Sequence, residues 1–142
     1  VTTHSHKSSA GGVVIHDGKV LTIKWSSRDS IEFPKGTVDE GESVEETALR
    51  EVKEETGYDV KIVGSLGDVT YEFDWTDGKH YSKTVSFYAM ALLNNNEPIP
   101  DRQPGEDFEN NWVTIDDAFN TLTHDDSKEI LTKALKLLSL VN

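Results

Sequence analysis

Cysteine is absent from this chain, which excludes a disulfide framework and any thiolate zinc site. There is also no apolar run of about 18 residues and no signal-peptide h-region, so no spanning helix is expected and a cytoplasmic location is. Positive charge is scarce: 14 lysines and arginines stand against 26 aspartates and glutamates, a formal net charge of −12. That balance argues against binding long nucleic acid through its phosphates. With neither cysteine nor a serine elbow, covalent nucleophilic catalysis has no candidate. No repeat, linker or low-complexity block divides the 142 residues, so a single domain is expected over 1–142, monomeric or weakly dimeric. It is long enough to bury roughly two-thirds of its unfolded surface. The chain starts at Val1 rather than Met, with His4 and His6 close behind, which points to a trimmed or engineered start. Residues 1–8 are expected to be a flexible segment, and those two histidines are not expected to bind metal.

What the chain does have is concentrated between Gly36 and Tyr58, GTVDEGESVEETALREVKEETGY. Ser43 followed by Glu46 is the capping-box pattern, so a helix should start at Val44. Gly57 offers a left-handed stop, which makes the helix Val44 to Thr56, about 20 Å long at 1.5 Å per residue. Val44, Ala48, Leu49 and Val52 share one side of it and should pack inward. Glu51, Glu54 and Glu55 stand at i, i+3 and i+4 and form one carboxylate patch in the last turns. Anions at that end oppose the helix dipole, each losing about 0.3–1 kcal/mol. Beside only Arg50 and Lys53, the patch is either a solvated charged face or a site awaiting an outside cation. Oxygen-only donors favour Mg²⁺ or Mn²⁺ over zinc. Bridged by such cations, an acidic protein can still bind a polyphosphate.

The entry to the helix, Phe33-Pro34-Lys35-Gly36 and then Asp39-Glu40-Gly41-Glu42, supplies glycines that let backbone approach a ligand closely. Gly36, Glu42, Arg50-Glu51-Val52, Glu54-Glu55 and Gly57, at intervals of five, seven, one and one residues, resemble the Nudix box. Chance would give the eight matched positions on the order of once in 10⁹ starting points. Only Tyr58 departs, standing where the pattern has an aliphatic residue. Ser9-Ala10-Gly11-Gly12-Val13-Val14, Lys83-Thr84-Val85 before Phe87-Tyr88, and Lys128-Glu129-Ile130 with Lys133-Ala134-Leu135 resemble the bacterial diadenosine polyphosphate hydrolase branch of that family.

This resemblance implies an α+β fold, the Nudix α/β/α sandwich with a mixed sheet between helices. It implies hydrolysis of a nucleotide phosphoanhydride with Mg²⁺, for which Mn²⁺ can substitute. Glu51, Glu54 and Glu55 would bind metal, joined by the backbone carbonyl of Lys35. Arg50 would orient these carboxylates, and Glu42 would hold loop to helix. The general base would be Glu54 or Glu55, or a carboxylate of the loop Gln103-Pro104-Gly105-Glu106-Asp107, where Glu106 fits better than Glu109 and would also reach the metal. Lys83 and the Lys35 side chain would meet phosphate. Of the aromatics Tyr71, Phe73, Trp75 and Tyr81 around Asp77-Gly78, Tyr71 and Tyr81 are the candidates to stack on a base. His80 and His124 show no ligand spacing and should be surface residues.

The leading expectation is a diadenosine tetraphosphate hydrolase giving ATP and AMP. A nucleoside triphosphate pyrophosphohydrolase for nucleotide-pool cleaning, oxidised purines included, remains open. So do a nucleotide-binding Nudix module without turnover and an acidic interaction protein.

Strands are expected at Gly12 to Ile15 and Lys19 to Trp25 around the Asp17-Gly18 hairpin. Others should run over Val60 to Val63, Asp68 to Trp75, Tyr81 to Leu93 and Trp112 to Thr114. Thr114 with Asp117 should cap a brief helix, and Ser127 to Leu140 should form the last.

Overall fold

The computed structural model describes residues 3–27 and 29–141. Chain order is β1 (Thr3–His16), β2 (Lys19–Trp25), β3 (Ser30–Glu32), β4 (Lys35–Thr37), α1 (Val44–Thr56), β5 (Val60–Asp74), β6 (His80–Leu92), β7 (Phe108–Thr114), α2 (Ile115–Thr121) and α3 (Asp125–Val141). One mixed sheet runs β3-β2-β1-β6-β5, with β4 pairing β1 and β7 pairing β2. The β1–β6 pair is parallel, from Thr3 opposite His80 to Val14 opposite Met90, and the other pairs are antiparallel.

Alternation along the central strands sends side chains to two helix layers. Ala10, Val14, Leu21, Tyr88 and Met90 meet Ala48 and Val52 of α1. Val13, Val20, Val85, Phe87 and Ala89 meet Ala118 of α2 and Ile130, Leu131 and Ala134 of α3. The result is the expected α/β/α sandwich, with α1 alone on one face.

The strand ends differ from the sequence expectations. β1 begins at Thr3, so residues 3–8 of the segment expected to be flexible lie in a strand, because their backbone groups pair with His80 to Thr84 of β6. Val1, on which the expectation of a trimmed start rests, lies outside the described residues. Val60 to Val63 and Asp68 to Asp74 are parts of one strand, β5, which ends one residue before Trp75 and absorbs the intervening glycines as register shifts between Ile62 and Gly64 and between Ser65 and Gly67. β7 starts at Phe108, four residues before Trp112, since its whole length pairs with β2. The helices follow expectation: Thr114 Oγ1 accepts from Asp117 N at 3.2 Å to start α2, and α1 has the bounds read from its caps.

Candidate active site

Both halves of the capping box form at the start of α1: Glu46 N donates to Ser43 Oγ at 3.1 Å and Ser43 N donates to Glu46 Oε1 at 3.0 Å. At the other end Gly57 takes φ 82° and donates its N–H to Lys53 O. A helix fixed at both ends gives Arg50, Glu51, Glu54 and Glu55 a rigid mount.

Arg50 binds most of this acidic surface. Its Nε and Nη2 donate to the two oxygens of Glu42 at 2.7 and 3.0 Å, a fork-to-fork pair. Its Nη1 donates to Glu51 at 2.8 Å and to Glu54 at 3.2 Å, while Nη2 also reaches the carbonyl of Thr37 at 3.1 Å. Glu42 accepts further from Thr47 Oγ1 at 2.6 Å and Asp39 N at 3.2 Å. The Arg50 and Thr47 hydrogen bonds hold the Glu42 carboxyl well below its ordinary range, at about 2.

Glu55 lies deeper, 5% exposed, with Oε1 accepting from Lys35 N at 2.8 Å. Burial, then repulsion from Glu51, pushes its carboxyl up to about 8. Burial raises Glu51 as well, against the opposing pull of Arg50, and Glu106 adds repulsion at both positions. Glu51 rests against Gly36, where a β-carbon would stand 2.0 Å from its Cδ. Only glycine leaves that carboxylate its place.

Glu106 approaches from the connection between β6 and β7. Its own carboxylate accepts from Gln103 N, closing a local turn. The same connection covers the end of α1, where helix carbonyls lack intrahelical donors. Asp101 N donates to Glu54 O at 2.7 Å, and Asn110 Nδ2 of β7 donates to Thr56 O at 3.1 Å.

On the α3 side of β4 a cavity of about 400 Å³ is lined by Glu32, Lys35, Tyr71, Phe73, Trp75 and Lys83, with His124 and Ser127 from the α3 end. A second, about 460 Å³, is bounded by Thr37, Phe73, Trp75, Asp77, Tyr81 and Lys83. Phe73, Trp75 and Lys83 are common to both. Tyr81 stacks on Phe73 at 5.7 Å and its hydroxyl donates to Asp77, so Phe73 and Trp75, 39% and 60% exposed, present the open aromatic faces. Lys35 and Thr37 join these two cavities to the carboxylate patch, which lines neither directly, whereas a larger cavity of about 530 Å³ opens elsewhere, between His16, Tyr58, Trp112 and Asn94 to Asn96.

The structure thus gathers Arg50, Glu51, Glu54, Glu55 and Lys35 around Gly36, and sets Lys83, Tyr71 and Tyr81 along the adjoining cavities. Glu32 and Ser127 are lining residues that the sequence did not single out. His124 is exposed, as expected, yet borders the cavity. His80 sits apart, between Asp74 at 2.9 Å and Glu72 at 3.2 Å.

The NUDIX domain family matches residues 6–135, and the chain belongs to it. Its fold is that of the solved Nudix hydrolases. The MutT4 protein of Mycobacterium tuberculosis is 33% identical over 94% of this chain and 56% of its own length. An 8-oxo-(d)GTP phosphatase of Mycolicibacterium smegmatis is 28% identical over 91% of this chain and 38% of its own. The chain therefore spans only about half, or less, of these two relatives. Among solved structures, the Ap4A hydrolase of C. elegans in a binary complex superposes with a TM-score of 0.72 at 25% identity, over 94% of this chain and 98% of that one.

Nudix hydrolases generally use divalent metals such as Mg²⁺. The residues fit a hard cation. The donors are all oxygen, and among the described residues the buried carboxyl of Glu55 has a single N–H for a hydrogen-bond partner, a costly state that a cation relieves. No three acidic or histidine side chains among the described residues already form a cation cage, since Arg50 holds Glu51 and Glu54 while Lys35 N holds Glu55.

Proposed function

We propose that this domain hydrolyses a phosphoanhydride of a dinucleoside polyphosphate, with diadenosine tetraphosphate split to ATP and AMP. The observation that carries this reading is the pair of adjoining cavities, of about 400 and 460 Å³, sharing Lys83 and the exposed rings of Phe73 and Trp75. Two aromatic-walled spaces that share one lysine suit a ligand with two bases and a polyphosphate.

Water attacks a phosphorus, the bridging P–O bond breaks, and the nucleotide leaves. Mg²⁺, for which Mn²⁺ substitutes, would be held by Glu51, Glu54, Glu55 and the Lys35 carbonyl, with Glu106 adjoining, and when bound it neutralises phosphate charge and lowers the pKa of water. Arg50 orients Glu51 and Glu54 through one Nη1 and is itself held by Glu42. Glu54, the half-exposed member of the patch, takes the proton from the attacking water. Lys35 and Lys83 face the polyphosphate, and Tyr71 with Tyr81 backs the aromatic walls.

The likeness to an 8-oxo-(d)GTP phosphatase favours a second reading, a triphosphate pyrophosphohydrolase that removes oxidised purine nucleotides. Product analysis with Mg²⁺ on diadenosine tetraphosphate, 8-oxo-dGTP and unmodified triphosphates separates the two by kcat/KM. A preference for any triphosphate would replace the first reading. Glu54→Gln should keep its fold and lose most turnover, and near-full activity in that variant would show that the wrong face has been assigned.

A further inference from the structure

The 15 residues from Leu93 to Asp107 include a single cation, Arg102, among Glu97, Asp101, Glu106 and Asp107. Its side chain does not point to solvent. Nη1 donates to Phe108 O at 2.6 Å, Nη2 to Asn110 Oδ1 at 3.1 Å, and Nε to Glu55 O at 3.4 Å, with the guanidinium 4.5 Å above the Phe108 ring. Asn110 then turns its own amide onto Thr56 O, and Asp101 N caps Glu54 O. The carbonyls of Glu54, Glu55 and Thr56, the last of α1, are therefore bonded by this connection and β7. A positive planar group here also opposes the negative end of the helix dipole, at the turn crowded with carboxylates.

We propose that Arg102 is a positioning residue for the hydrolytic site. It locks the final turn of α1, and with it the Glu54 and Glu55 carboxylates, against the connection that brings Glu106 four residues later. This inference rests on the metal-dependent hydrolase reading above. It adds that cation affinity and turnover depend on a residue outside the box motif that touches neither cation nor substrate. Lysine cannot replace it, because one ammonium cannot reach three acceptors in a plane.

The test measures Mn²⁺ affinity by electron paramagnetic resonance, together with kcat and KM, for the parent, Arg102→Met, Arg102→Lys and a remote control. Ile130→Val, on the buried face of α3, is the control for lost stability alone. Arg102→Met should weaken Mn²⁺ binding at least tenfold and lower kcat by a similar factor, with KM changed less than threefold. Arg102→Lys should recover less than half of that loss on a logarithmic scale, and it carries the test if the methionine variant does not fold. Ile130→Val should leave affinity and kcat within twofold of the parent. An Arg102→Met protein that binds Mn²⁺ and turns over within twofold of the parent overturns the role, as does full rescue by lysine. A parent that neither binds Mn²⁺ nor turns over any nucleotide overturns instead the hydrolase reading beneath it.

Discussion

Arg50 meets Glu42 with two parallel hydrogen bonds, Nε to Oε2 at 2.7 Å and Nη2 to Oε1 at 3.0 Å, and so spends one edge of its guanidinium on the loop ahead of the helix. The other edge is left for Glu51 and Glu54. One arginine thereby fixes the spacing between loop and carboxylate patch. Arg50→Lys keeps the charge and loses the fork. Turnover should fall roughly 10- to 100-fold, the range for losing a group that orients metal-binding side chains. Steady-state kinetics at saturating Mg²⁺ measures it.

Glu55 makes stability depend on pH. Its carboxyl ionises near 4.5 when unperturbed and near 8 in the fold. Below the lower value both states are protonated and the contribution is intact; as pH rises toward the upper value the unfolded chain ionises first, so the cation-free protein loses stability across that window. Urea midpoints in chelator from about pH 5 to 9 should fall for the parent and stay flatter for Glu55→Gln. Divalent cation competes with the same proton, so its apparent affinity should climb over this interval and level off above about pH 8.

Gly36→Ala tests the contact with Glu51. The added carbon has no room, at 2.0 Å from the carboxylate carbon, so the side chain must swing away. A displacement of about 1 Å at a reacting centre costs on the order of 100-fold in rate. The expected protein is folded, weaker in Mn²⁺ binding and slow; circular dichroism and titration calorimetry distinguish this from unfolding.

Trp75→Ala addresses the substrate. Base stacking on an aromatic contributes about 1–3 kcal/mol. KM for diadenosine tetraphosphate should rise about fivefold or more while kcat holds, and an unchanged KM would remove Trp75 from the binding surface.

How much could be read in advance varied with the range of the interactions. α1 was legible to the residue because its start and stop are local signals, Ser43 with Glu46 and then Gly57. β5 was not, because Gly64 and Gly67 look like breaks until a continuous β6 partner forces them into register shifts. β3 and β4, three residues each, have no periodicity to detect. The lining of the cavity mixes β3, β5, β6 and the start of α3, so Glu32, His124 and Ser127 meet only through tertiary packing. Arg102 carried one usable clue: it is the lone cation in an acidic, proline-bearing connection. An isolated charge of that kind needs a partner, and here the partners are two backbone carbonyls, of Glu55 and Phe108, and the side-chain amide oxygen of Asn110.

The parallel pairing of β1 with β6 bears on how the protein is made. β1 is central, between β2 and β6, yet its partner runs from His80 to Leu92. During synthesis Ala10, Val13 and Val14, fully buried in the finished fold, are not fully covered until β6 has left the ribosome. Pairings so distant in sequence form slowly and leave apolar strand exposed in the interval. Nascent chains of this protein should therefore be chaperone clients up to the emergence of β6, and a ribosome-stalled series would find protease resistance appearing only beyond it.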